Sequence, residues 1–161
     1  MKKYFLHRIQ KENGNFSKGI EIHDTLDSAI LSFWGRAKLA YGKNPAITFV
    51  YLKITDGSGN VVARDGRQYR MAWAAESEKT NKFFLHHIRL EGESFSKDID
   101  QPMDAIGPAY AEFASQMEYG YGNPRHADVS YVCCCITDML SGGMDLDSGC
   151  WEKAEEPEPA E

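Results

Sequence analysis

Residues 4–9 read YFLHRI and residues 83–88 read FFLHHI. Sliding the chain by 79 positions and setting residues 3–20 against residues 82–99 gives 10 identities in 18: Lys, Phe, Leu, His, Ile, Glu, Phe, Ser, Lys and Ile. No other feature constrains the fold as strongly. Each copy must be one supersecondary unit, and two copies must bury the surface that one alone leaves open. The likeness continues with small changes of offset where loops belong. At an offset of 80, Asp24 meets Asp104, Phe33 meets Phe113 and Tyr41-Gly42 meets Tyr121-Gly122. Asn44-Pro45 then meets Asn123-Pro124, and at an offset of 82 VYLKITD (50–56) meets VCCCITD (132–138). Trp73 and Trp151 close the two copies, which run over 1–76 and 80–153. The remainder, AEEPEPAE at 154–161, is acidic and proline-bearing and reads as a disordered tail.

Each copy carries the same order of signals. A strand over residues 3–11 runs into Asn13-Gly14, a hairpin dipeptide, and a second strand follows from Phe16 to Ile22. Asp24 or Thr25 supplies a helix N-cap. Leu26, Ile30, Phe33, Trp34, Ala37 and Tyr41 then recur at helical spacing until Gly42 ends the run. In the second copy Ile106, Tyr110, Phe113, Ala114, Met117 and Tyr121 repeat that stripe, so it reads as a core face. Gly107-Pro108 places a proline in the first turn and predicts a helix starting slightly later than its counterpart. Apolar strands over 47–54 and 129–136 follow. DGSGN (56–60) turns the first copy into a fourth strand, and DMLSGGMDLDSG (138–149) stands in its place in the second. The fold class is therefore α+β: two tandem ββαββ repeats, each a small antiparallel sheet with one helix, packed as a pseudo-dimer. A unit of about 75 residues with a single helix has a thin core, and a twin supplies what it lacks. Whether the copies meet through helices or sheets is open at this level.

Hydrophobic residues make up 42% of the 161, with a mean hydropathy of -0.49. No apolar run approaches the roughly 20 residues of a spanning helix, and MKKYFLHRIQ alternates apolar with polar instead of forming a secretory leader. The expectation is a cytoplasmic protein with no membrane role. The four cysteines suit a reducing compartment. Three are consecutive, so on a strand Cys133 and Cys135 share one face and Cys134 takes the other. That run lacks the paired spacing of a zinc site, and no metal or cofactor is assigned.

His7 and His86 stand on the faces shared by Phe5 and Ile9, and by Phe84 and Ile88. They read as hydrogen-bonding groups of a core or interface, able to chelate only if a two-fold axis passes between them. His23, His87 and His126 have no counterparts and read as surface residues. There is no nucleophile elbow, phosphate loop, dinucleotide fingerprint or zinc-protease motif. DGSGN lacks the distal glutamate of a calcium loop and reads as a hairpin turn, and Asp138, Asp145 and Asp147 read as a solvated loop. No catalytic residue is assigned, and the expectation is a protein that is not an enzyme.

Charge divides the copies. Residues 1–79 carry 13 Lys and Arg against 8 Asp and Glu, a balance of +5, while residues 80–161 carry 5 against 16, a balance of -11. Opposite signs could help the copies pack. They also define two candidate partner-binding surfaces: a basic one of Arg36, Lys38, Lys43, Arg64, Arg67 and Arg70, and an acidic one of Glu91, Glu93, Asp98, Asp100, Glu112 and Glu118. The sequence pI of about 5.4 disfavours direct nucleic-acid binding by the whole chain.

The stretch KKYFLHRIQKENGNFSKGIEIHDTLDSAILSFWGRAKLAYG, then NP, a strand ending ITDGSGNVV, a late tryptophan and the PEPAE tail, resembles small uncharacterised proteins of phages and mobile elements of gut Firmicutes. The resemblance covers most of one copy and, more weakly, the second, which departs at CCCITDMLSGG. It carries over no site residue. It implies an accessory protein that acts by binding, with a host defence protein or nuclease complex, such as a CRISPR nuclease, as partner. The alternative is a sponge that takes a nucleotide or other small ligand at the junction between repeats.

Overall fold

The structure, a computed structural model, describes residues 1–38, 46–63, 81–139 and 145–154. Lys43, Arg64, Arg67, Arg70, Trp73 and the 155–161 part of the tail lie outside the described residues. So do Tyr41-Gly42 and Asn44-Pro45.

The first repeat is β1 (Tyr4–Glu12), β2 (Asn15–His23), α1 (Leu26–Ala37), β3 (Ile47–Thr55) and β4 (Val61–Ala63). The second is β5 (Phe83–Glu91), β6 (Ser94–Ile99), α2 (Ile106–Met117), β7 (Val129–Asp138) and β8 (Asp147–Glu152), with a short 3-10 turn at Pro124–His126. The strand orders are β2-β1-β3-β4 and β6-β5-β7-β8, both fully antiparallel, so the two halves share one ββαββ topology. Among the described residues no helix is long and apolar enough to cross a membrane.

Both hairpins close through two residues, by different means. Asn13 (φ 51°) and Gly14 (φ 79°) both adopt positive φ, the type I′ signature of Asn-Gly. In the second, only Gly92 (φ 59°) does so, at the first central position as a type II′ turn requires. Thr25 caps α1 by accepting a hydrogen bond from the Ser28 amide (3.2 Å). Ala105 at the same place in α2 has no such side chain, and Pro108 sits in the first turn without delaying the helix start. The expected later start is therefore corrected: α2 begins 80 positions after α1, since an N-terminal proline sacrifices only an amide with no intrahelical acceptor.

Strand alternation decides the packing. Phe5 and Ile9 of β1, Ile20 of β2, and Phe49 and Tyr51 of β3 form one cluster with Phe84, Ile88, Ile99 and Tyr131 of the second sheet. The intervening Leu6, Val50, Leu52 and Ile54 instead pack under Ala29, Phe33 and Ala37 of α1. Leu85, Val132, Cys134 and Ile136 likewise pack under Ala109 and Met117 of α2. The copies therefore meet sheet to sheet, with a helix on each outer surface. A register shift at Lys11/Glu12, repeated at Leu90/Glu91, turns Ile47 and Val129 to the helix side in both halves.

The helical stripes need correction. Ala29 and Ala109 are fully buried and let each helix come close to its sheet, while Trp34, Ile106 and Tyr110 turn toward solvent, as does Tyr121 beyond α2. Alanine sets the approach, so the large apolar residues flank the contact instead of filling it. Phe33 and Phe113 remain in their clusters as the stripe predicts.

Candidate functional site

The face of each sheet that meets the other carries three polar residues near its middle: His7, Lys53 and Thr55 from the first half and His86, Cys135 and Thr137 from the second form three matched pairs. His7 pairs with Lys53 across β1/β3 and His86 with Cys135 across β5/β7, and the 82-residue offset makes Lys53 and Cys135 counterparts. Two of the three pairs meet directly. His7 Nδ1 lies 3.0 Å from His86 Nδ1, and Lys53 Nζ donates to Cys135 Sγ at 3.0 Å. A pseudo-two-fold axis therefore passes through the site.

The histidines form the centre of a hydrogen-bonded chain. His7 Nε2 lies 2.9 Å from Thr55 Oγ1, and His86 Nε2 lies 2.7 Å from Thr137 Oγ1. Two neutral imidazoles can share an Nδ1···Nδ1 contact only if one donates and the other accepts, which forces opposite tautomers. One threonine then donates to its histidine and the other accepts. Burial, reinforced by the Lys53 charge, holds both histidines well below 6.5, so the pair is neutral.

Lys53 is buried, and its ammonium also donates to Asp145 Oδ1 at 2.6 Å. Burial alone would pull its pKa down; Cys135, Tyr51 and Asp145 outweigh that and raise it. Burial pushes Cys135 up despite the nearby ammonium. The two directions are compatible only if Cys135 is a thiol and the Asp145 carboxylate is the anion that keeps Lys53 charged. The solvated-loop reading of Asp145 is corrected accordingly.

Beside this centre Cys133 and Cys150 face each other across β7/β8 as free thiols. Cys150 Sγ donates to Gly57 O and to Tyr131 Oη, both at 3.5 Å. The hydrogen bond with Cys133 draws the Cys150 thiol down to about 7, while that neighbour and burial push Cys133 up. Cys134 lies on the other face under α2, as strand alternation predicts. Gly59 closes over the pair with positive φ (85°), and a Cβ there would stand 3.1 Å from Cys133 Sγ. Together these residues line a cavity of about 210 Å³, floored by His7, His86 and Cys135 and rimmed by Ser58, Asn60 and Ser148.

Among the described residues, none of those assigned to the two candidate partner-binding surfaces lines this cavity. Arg36 is held by Glu21 at 2.7 Å, and Lys38 is exposed at the end of α1. Glu91 and Glu93 are exposed at the β5–β6 hairpin, and Asp98 is exposed and accepts from the Ile99 amide. Asp100 accepts from His87 at 2.9 Å, and Glu112 and Glu118 are exposed on and after α2. The structure brings together Asp100 and Glu112, across a surface depression that also includes Pro102 and Pro108. His23 and His87 are half-buried and hydrogen-bonded to Ser28 and Asp100, not simple surface residues. Sequence reasoning missed Lys53, Cys135 and Asp145 as a group. A lysine on the inward parity of an otherwise apolar strand was the available signal. Comparisons with protein-family models, with curated proteins and with solved structures find no match for this chain.

Proposed function

We propose that this is a non-enzymatic binding protein that takes a compact polar small molecule into the cavity between its repeats. The observation that carries the reading is that cavity: both halves line it, and its lining includes a buried ammonium held by a half-buried carboxylate, with the hydroxyls of Thr55, Ser58 and Ser148 and the amide of Asn60. Such a site offers donors and acceptors held in place by two sheets, as ligand sites generally do. Its volume of about 210 Å³ suits a molecule smaller than a whole nucleotide. The chemistry supports retention over turnover. The nucleophile deepest in the cavity, Cys135, is held as a thiol, the histidines are tied to each other and to threonines, and Lys53 stays charged. In this role the chain would serve as the sequestering accessory protein that the mobile-element resemblance implies.

Protein isolated from a bacterial host and weighed by native mass spectrometry should carry one small-molecule increment. Ser148→Trp, which fills the mouth, should lose it. No increment, together with no thermal stabilisation by amino acids, sugar phosphates or nucleosides, would overturn the reading, and so would release of a chemically altered product.

A second reading, capture of a host defence protein, is favoured by the outer face of α1. Leu31 is 77% and Trp34 51% exposed there, next to Arg36 and Lys38, whereas the matching positions of α2 are Ala111 and Ala114. Apolar anchors ringed by charge are what a protein partner uses.

A further inference from the structure

His7, His86 and Cys135 each present one ligand atom within 4.8 Å of the others, all three residues are buried and line the junction cavity, and the two imidazoles face each other through Nδ1 at 3.0 Å. We propose that these three side chains form a three-coordinate site for a soft monovalent cation, Cu(I). Two imidazoles and a thiolate are the donors such an ion prefers. The surroundings are already arranged as an outer shell. Thr55 and Thr137 each stand at hydrogen-bond distance from the Nε2 that would carry the proton once both Nδ1 atoms bind metal, fixing the tautomer that ligation needs. Lys53 donates to the sulfur and is itself balanced by Asp145.

Charge selects the ion. On binding, Cys135 releases its proton to solvent, and the proton shared between the Nδ1 atoms moves to the Nε2 of the histidine that held it. Cu(I) and the thiolate then cancel, as Lys53 and Asp145 already do, leaving a neutral buried centre. Zn(II) would leave one uncompensated positive charge in the same place and would lack a fourth ligand. Metal–ligand bonds of about 2 Å in a trigonal plane set the donors about 3.5 Å apart, so the two Nδ1 atoms, 3.0 Å apart, open by about 0.5 Å and the sulfur closes by up to about 1.3 Å, within reach of side-chain adjustment. The cavity gives the ion its route in. The site does not depend on the small-molecule reading, because it needs only the metal.

The test is anaerobic titration of the full chain with Cu(I) against a chromogenic chelator, with X-ray absorption of the loaded protein. One equivalent should be held, with one sulfur and two imidazole nitrogens around the copper. Cys135→Ser should weaken retention at least 100-fold, and Cys150→Ser should leave it unchanged. Absence of retention would overturn the proposal. So would a two-sulfur copper environment lost in Cys150→Ser, which would place the ion between Cys133 and Cys150. The absorption measurement on the unaltered chain keeps the proposal decidable even if the Cys135 variant fails to fold.

Discussion

The two halves of this protein share topology, hairpin length, a β-bulge and even a surface ion pair, Lys3 with Asp24 and Lys82 with Asp104, yet beyond their turn types and helix caps they part at two places that bear on function. One is the exterior, where residues 1–79 balance at +5 and residues 80–161 at -11. The other is the axis itself. A residue on a two-fold axis touches its own counterpart, so it must be complementary to itself. Histidine satisfies this, because one imidazole donates while the other accepts, and His7 and His86 are the same residue. Lysine cannot, because two buried ammoniums repel, and here Lys53 meets Cys135 with Asp145 supplying the countercharge. At the axis, the divergence of Lys53 from Cys135 thus falls where symmetry would be self-defeating.

Restoring symmetry at that point should break the molecule. Cys135→Lys would set a second ammonium against Lys53 with one carboxylate between them. Leaving a buried charge without a partner costs about 3–5 kcal/mol. Urea unfolding should show a loss of that size or no folded protein. A variant as stable as the parent would mean that the Lys53–Cys135 contact is not enclosed by the two sheets.

The histidine pair gives a smaller and graded effect. Both imidazoles stay neutral in the folded chain, while in the unfolded chain they take up protons near the ordinary value of 6.5. Stability is therefore complete above about pH 7 and falls as pH drops below 6.5, by about 1.4 kcal/mol per unit for each histidine. By pH 5.5 the pair should have cost about 3 kcal/mol, and His7→Gln should show about half of that dependence. An identical pH profile in His7→Gln, measured by denaturant unfolding, would mean that the pair is solvated.

The repeat, the element order and the shared faces of His7 with Phe5 and Ile9, and of Cys133 with Cys135, were legible in sequence, because two-residue alternation and a 79–82 offset are local arithmetic. The direction in which the sheets stack was not, since Phe5 and Leu6 are equally apolar and nothing local says which faces a helix. The helix stripe misled at Trp34 and Tyr110 for a related reason. Close approach was set by Ala29 and Ala109, and periodicity weights large residues more than small ones. The site was hidden because its members come from different strands of both halves and meet only across the axis. Asp145 reaches Lys53 from a segment whose composition reads as a loop.

The smallest expected change tests the exterior. Leu31→Ala with Trp34→Ala gives α1 the surface that α2 has at Ala111 and Ala114. Both side chains are exposed, and alanine is the better helix former, so the loss of the Phe33–Trp34 edge contact at 5.3 Å is largely offset. Thermal unfolding should shift by no more than about 0.5–1 kcal/mol. If a defence nuclease is the partner, the same double variant should fail to form a stoichiometric complex with it in size-exclusion chromatography, while the acidic half, left intact, does not rescue binding. An undiminished complex would move the contact away from α1. A loss of stability above about 2 kcal/mol would show instead that the pair supports the fold, because exposed residues with no structural duty do not cost that much.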